Sequence, residues 1–185
     1  KSKLSNYLSI DDDLYWHPNT NIHGIEFHTG SMGHGLSIGI GMAMASSKSG
    51  FLNKTVVLLG DGELNEGSIW ESILIGNAYN LKNLFVIIDR NSRQANMKTE
   101  NLIPLDSLEE KFSSFGWDTY VCNGHDFFEI DNLFCNLHSR KSEKPVMIIA
   151  NTIRGKGISL LEDDPNQWFG NFSLDEIKKL KNRLL

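Results

Sequence analysis

The segment Gly60-Asp61-Gly62-Glu63-Leu64-Asn65-Glu66-Gly67 follows directly on the apolar run Thr55-Val56-Val57-Leu58-Leu59. Asn91 stands thirty positions beyond Asp61, just past a second run, Leu84-Phe85-Val86-Ile87-Ile88-Asp89. Two buried strands would deliver Asp61 and Asn91 to one rim of a sheet, where Gly62 lets the backbone close on a phosphate. Magnesium suits such a pair, because it wants six oxygens and takes only one or two carboxylates, with phosphate and water completing the shell. The residues therefore read as a magnesium and diphosphate site. Asp-Gly is also among the commonest turn dipeptides, but a turn alone leaves the flanking strand, the following helical run and Asn91 without explanation. The alternation of Asp61, Glu63 and Asn65 is that of a calcium loop of the EF-hand kind, yet its glycine and final glutamate are misplaced and a strand precedes it.

A second group is His28-Thr29-Gly30-Ser31-Met32-Gly33-His34-Gly35, which runs into the small, apolar helix Leu36-Ser37-Ile38-Gly39-Ile40-Gly41-Met42-Ala43-Met44-Ala45. Unpaired amides at a helix start accept a phosphate or polar ligand, and small residues let a helix press closely on its neighbour. Gly and Ala serve plain helix packing equally well. Trp16-His17-Pro18 lies upstream, where a stiffened turn would present an imidazole able both to donate and to accept. Downstream, Ile149-Ala150-Asn151-Thr152-Ile153-Arg154-Gly155-Lys156-Gly157 leaves a third apolar run through a glycine-rich exit; its two cations either guard a polyanionic pocket or are simply solvated.

Taken together these segments resemble the transketolase family of thiamine diphosphate enzymes. Gly60-Asp61-Gly62 with Asn91 is similar to that family's cofactor motif. Thr29-Gly30-Ser31-Met32-Gly33-His34-Gly35 resembles its Thr-Gly-(Ser/Pro)-Leu-Gly-Gln-Gly segment, with Met32 and His34 replacing Leu and Gln. Trp16-His17-Pro18 resembles its Gly-His-Pro turn, and Thr152 to Gly157 its Thr-(Val/Ile)-Lys-Gly-Lys-Gly exit. The resemblance implies that Asp61, Asn91 and the backbone carbonyl of Arg93 hold Mg2+, that Gly30, Met32, Asp61, Gly62 and Asn91 bind thiamine diphosphate, and that His17 faces the sugar. It also implies that Glu66 reaches toward a partner's active site; a carboxylate at a helix start is equally favoured by the local dipole. One departure stands out: Trp168-Phe169-Gly170 occupies the place of the family's Trp-His-Gly, and phenylalanine neither moves a proton nor donates a hydrogen bond.

These residues need a scaffold, and the hydrophobic pattern supplies one. After a polar loop from Asp11 to Thr29 it predicts helices over about Gly33–Lys48, Ser68–Tyr79, Leu105–Phe115, Phe127–Ser139 and Leu174–Leu184, and strands over Thr55–Leu59, Leu84–Asp89, Asp118–Val121 and Val146–Asn151. Such alternation implies an α/β fold, a parallel sheet flanked by helices, with ligands beyond the carboxyl ends of the strands. By resemblance this is the thiamine diphosphate-binding fold. We expect residues 1–185 to form a single domain, the diphosphate half, with its N-terminal portion lying upstream of Lys1.

With 185 residues, 40% of them hydrophobic, the chain can bury a sizeable core. The formal net charge of −5 offers no broad attraction to nucleic acid or to an anionic membrane. No apolar stretch reaches the length of a membrane span and no leader is visible, so we expect a cytoplasmic protein. Cys122 and Cys135 are too few and too far apart for a disulfide framework or zinc site, and read as reduced core thiols.

In the resembled family the aminopyrimidine half of the cofactor is held by another domain or chain. We therefore expect a pyrimidine-domain partner chain, a homodimer core and a small sugar substrate, in a transferase that moves a two-carbon ketol unit between sugars or sugar phosphates. Two alternatives stay open: an enzyme like deoxyxylulose phosphate synthase that decarboxylates a 2-oxo acid and condenses the product, and a non-catalytic relative that binds cofactor or partner.

Overall fold

A computed structural model of the chain describes residues 8–9, 11–14, 17–159, 161–162, 164 and 172–184. Four parallel strands form the sheet: β1 (Thr55–Gly60), β2 (Leu84–Arg90), β5 (Asp118–Asn123) and β6 (Val146–Asn151), in the order β1-β2-β6-β5. The register pairs Gly60 with Asp89, Arg90 with Asn151, and Asn123 with Asn151, so these residues line up along one edge, the carboxyl edge. Two two-residue strands, β3 (Arg93–Gln94) and β4 (Met97–Lys98), form a separate antiparallel hairpin just beyond β2.

Alternate residues of the central strands feed opposite layers, as the two-residue period of a strand requires. Leu84, Val86 and Ile88 of β2 join Met147 and Ile149 of β6 in the larger core, covered by α1 (Gly35–Lys48), α2 (Gly67–Ala78) and α4 (Leu108–Ser114). Phe85 of β2 joins Val146, Ile148 and Ala150 in the smaller one, covered by α5 (Phe127–His138). Both faces of β2 and β6 are filled, which is why they read as unbroken apolar runs. The edge strand β1 buries Val57 and Leu59 and leaves Val56 and Leu58 exposed.

α1 lies tight on β1 and α2. A Cβ on Gly39 would come within 2.3 Å of the Val57 side chain, so only glycine permits this approach. Ser37 Oγ and Ser72 Oγ hydrogen-bond across the two helices at 2.8 Å. At the starts of α4 and α5 the side chains of Ser107 and Asp126 accept from amides of the first turn, satisfying donors the helix cannot pair itself.

The expected architecture is present, with differences that have local causes. α1 starts at Gly35 rather than Gly33, because Gly33 has a φ of +82° and its amide is taken by Glu63. α4 is shorter than the expected 105–115, since Pro104 to Asp106 form a loop before the Ser107 cap. A 3-10 turn over Asp61–Asn65 separates β1 from α2, and the hairpin and a one-turn helix α3 (Thr99–Leu102) fill the polar stretch after Asn91. Cys122 is buried as expected, and burial pushes its thiol up; Cys135 is exposed, on the outer side of α5, and is not a core thiol. Among the described residues no helix is long and apolar enough to cross a membrane.

Candidate functional site

Asp61 is the first residue past β1 and is 0% exposed. Its Oδ2 accepts from Arg90 Nη1 at 2.9 Å and from the Ser92 amide at 2.7 Å, while its Oδ1 is buried without a hydrogen-bond partner. Burial pushes the Asp61 carboxyl above the usual carboxylate range, against the opposing pull of Arg90 and the Ser92 amide. The Gly62 amide also favours the charged form. A buried acceptor lacking any donor costs about 1–3 kcal/mol, so the geometry suits a positively charged partner at Oδ1.

Asn91 is held in one orientation by both strands beside it. Its Nδ2 donates to Asp89 Oδ2 at 2.9 Å, and its Oδ1 accepts from the Arg93 amide at 2.9 Å, which leaves that oxygen a second lone pair. Asp89 Oδ1 in turn accepts from the Thr152 hydroxyl, so the exit of β6 braces the exit of β2. Asn91, Ser92, Arg93, Lys98, Glu100, Thr152 and Ile153 line a cleft of about 520 Å³ at this edge. Asp61 stands behind that wall rather than on it.

Gly62 is tightly covered: a Cβ there would lie 2.9 Å from Gln94 Cβ, so the missing side chain lets the hairpin close over the 3-10 turn. Gln94 Oε1 accepts from Asn65 Nδ2 at 2.6 Å and fixes that closure. The segment before α1 is tied to the same turn. Glu63 Oε1 accepts from the Gly33 amide at 2.7 Å, and Ser68 Oγ donates to the Gly33 carbonyl at 2.8 Å. His17 packs against Gly30, where an added Cβ would sit 2.6 Å from its ring, and Met32 is 48% exposed. His34 contacts the Met32 carbonyl at 3.0 Å.

The residues singled out in the sequence thus fall into two linked groups. Asp61, Gly62, Asn91 and Arg93 meet at the carboxyl edge, and His17, Gly30 and Met32 lie in the loop joined to it through Gly33. Glu66 is exposed as the residue before the first turn of α2, its Cβ side against Gly33. Phe169 lies outside the described residues. Sequence reasoning missed Glu63, Gln94 and Arg90. Arg90 had a usable signal, since a cation ending an apolar run between two candidate ligands needs a carboxylate partner.

Among the described residues no group of three or more His, Cys, Asp or Glu side chains could hold a metal. In an α/β domain with a parallel sheet, ligands bind beyond the carboxyl ends of the strands, the edge at which Asp61 and Asn91 stand. The chain belongs to the transketolase family: the family described as "Transketolase, thiamine diphosphate binding domain" matches residues 2–184. It is 44% identical over 149 residues to one of the subunits of the apulose-4-phosphate transketolase of Phocaeicola vulgatus, covering 80% of this chain and 53% of that one. It is 38% identical over 139 residues to the 6-deoxy-6-sulfo-D-fructose transketolase subunit SqwG of a Clostridium species, covering 75% and 50%. The structure of transketolase from Campylobacter jejuni superposes with a TM-score of 0.83 at 29% identity, over 89% of this chain and 27% of that one. The chain therefore spans about half the length of the subunits it matches.

Proposed function

We propose that this chain is the diphosphate-binding subunit of a two-chain transketolase-like enzyme that moves a two-carbon ketol unit between sugars or sugar phosphates. The observation that carries this reading is Asp61: a fully buried carboxylate at the carboxyl edge of a parallel sheet, one oxygen doubly hydrogen-bonded and the other without a partner, in a chain of this family. The two relatives named as subunits support a separate pyrimidine-domain chain, and their substrates, a sugar phosphate and a sulfo-sugar, support a small anionic sugar.

On this reading Asp61 Oδ1, the Asn91 amide oxygen and the Arg93 carbonyl would hold Mg2+, whose charge would offset that of the diphosphate. Gly30, Met32 and Gly62 line the cofactor, His17 hydrogen-bonds a sugar hydroxyl, and Glu66 reaches across a homodimer core. Bound thiamine diphosphate supplies the reactive carbon and the electron sink. The protein's part is to fix the diphosphate, orient the ring and keep water out. The two free cysteines fit a reducing, cytoplasmic setting.

The test is reconstitution. This chain, a pyrimidine-domain chain, thiamine diphosphate and Mg2+ are combined, and ketol transfer is measured over a panel of ketose phosphates with pyruvate included. Transfer should require both chains, and full turnover by this chain alone would overturn the two-chain reading. Turnover confined to pyruvate would favour the 2-oxo acid alternative. A complex that binds cofactor and turns over nothing would favour the non-catalytic one, for which Phe169 in place of the family's histidine already speaks.

A further inference from the structure

At the amino edge of the sheet, opposite the edge that carries Asp61 and Asn91, the loop after α1, the start of β2 and the end of α5 enclose a hollow of about 360 Å³. Lys54, Lys82 and Arg140 line it and no acidic residue does, although the chain as a whole carries a net charge of −5. The six residues of β1 put this hollow about 20 Å from the Asp61 end of the sheet. The ring of Phe85, 2% exposed, lines it too, with Lys54 Nζ 5.1 Å and Arg140 Cζ 5.5 Å from its centroid. Two cations drawn to one ring repel each other, and the ring's negative face offsets only part of that.

The three cations are not equally compensated. Arg140 Nη1 donates to Asp118 Oδ2 at 2.9 Å and Nη2 to the carbonyls of Lys82 and Lys144 at 2.7 Å each, while Lys82 Nζ pairs with Glu143 at 2.9 Å. Lys54 has no carboxylate partner among the described residues; its ammonium donates to His138 Nδ1 at 3.2 Å. An ammonium can only donate, so Nδ1 is the acceptor and the ring proton sits on Nε2, a donor with no partner among the described residues. A concave site lined by one sign of charge focuses its field on an anion, whereas the same lysine on an open surface would simply be solvated. Beside these donors stand the apolar side chains of Leu137 and Phe51, the latter 65% exposed. We propose that this hollow is a second binding site, for a small organic anion: Lys54 and His138 hold its carboxylate or phosphate group, and its apolar part lies against Phe51 and Leu137. The volume is that of a small-molecule pocket.

The experiment titrates phenyl phosphate, benzoate and inorganic phosphate into the native complex in saturating Mg2+ and thiamine diphosphate, for wild type, Lys54→Met and, as a control, Lys178→Met at an exposed lysine elsewhere. Methionine keeps an apolar stem against Phe85 and removes the charge. Lys54→Met should weaken the tighter of the two ring-bearing anions about 10–100-fold, the range for losing a hydrogen bond to a charged group, and Lys178→Met should change nothing. Phenyl phosphate should bind more tightly than inorganic phosphate, and whichever of phenyl phosphate and benzoate binds better identifies the head group the site takes. Equal affinity in wild type and Lys54→Met would overturn the proposal, as would a wild-type Kd weaker than about 10 mM for both ring-bearing anions. If Lys54→Met does not fold, Phe51→Ser, at an exposed position, decides: it should weaken phenyl phosphate about tenfold and leave inorganic phosphate unchanged. Phenyl phosphate binding that Phe51→Ser leaves untouched would overturn the proposal.

Discussion

Asp61→Ala is expected to lower magnesium-dependent affinity for thiamine diphosphate by at least about 100-fold, since even outer-shell partners of a metal are worth about 10–100-fold. The side chain is the one carboxylate proposed for the cation, and its Oδ1 has no other partner. Removing it also strands Arg90, whose Nη1 is left with Thr99 alone. Asp61→Asn separates the two effects: it keeps the volume and a hydrogen-bond acceptor for Arg90 but not the charge, so folding should survive better than cofactor binding. Equilibrium dialysis with labelled cofactor in excess Mg2+ measures this, and undiminished affinity in Asp61→Ala would remove Asp61 from the site.

The same carboxyl sets a pH dependence. Burial raises its pKa in the folded protein above its unfolded value. A raised pKa means the protonated form is the better tolerated one, so this group's contribution to metal-free stability is fully present below the unfolded pKa and is lost as pH rises through the raised folded one. Cation binding has the opposite sense, because only the carboxylate ligates. Cofactor affinity should therefore begin to fall, on acidification, above the usual carboxylate range.

Phe112→Ala is expected to cost about 3–5 kcal/mol of stability, the range for removing a fully buried aromatic ring. Phe112 is 0% exposed, and its ring stacks on Trp70 with centroids 5.7 Å apart. Trp70 in turn donates from Nε1 to the Leu64 carbonyl at 2.7 Å, inside the 3-10 turn that carries Asp61. The cavity would therefore lie directly beneath the site's support. Urea unfolding of the metal-free protein should show the midpoint falling with an unchanged slope. Adding Mg2+ and thiamine diphosphate should recover part of the loss, since a ligand that binds only the folded state stabilises it by mass action. A loss under about 1 kcal/mol would mean that the site of the ring collapses without a cavity.

The sheet was legible because its central strands are buried on both faces and so read as apolar runs that no polar residue interrupts. Asp61 and Asn91 were legible because each stands just past such a run. The stretch from Ser92 to Glu100 was not, for a physical reason: it is polar, its strands are two residues long, and its turns are set by Ser92 and Ala95 at φ of 60° and 50°, positions with no glycine to mark them. Arg90 went unread although it ends the β2 run: its partners, Asp61 and Glu100, lie twenty-nine positions before it and ten after it, and it is the parallel pairing of β1 with β2, Gly60 opposite Asp89, that sets Asp61 beside it. Cys135 was misread because α5 covers the sheet with one side only, and the spacing of apolar residues around it does not say which side a thiol takes.

The central claim is that this edge of the sheet holds a diphosphate cofactor through a divalent cation. Calorimetric titration of thiamine diphosphate into the native complex, first in Mg2+, then after chelation with EDTA, then after addition of Mn2+, tests it most directly. Binding should be present with Mg2+, absent after chelation and restored by Mn2+. Cofactor binding that persists undiminished in EDTA would contradict the account.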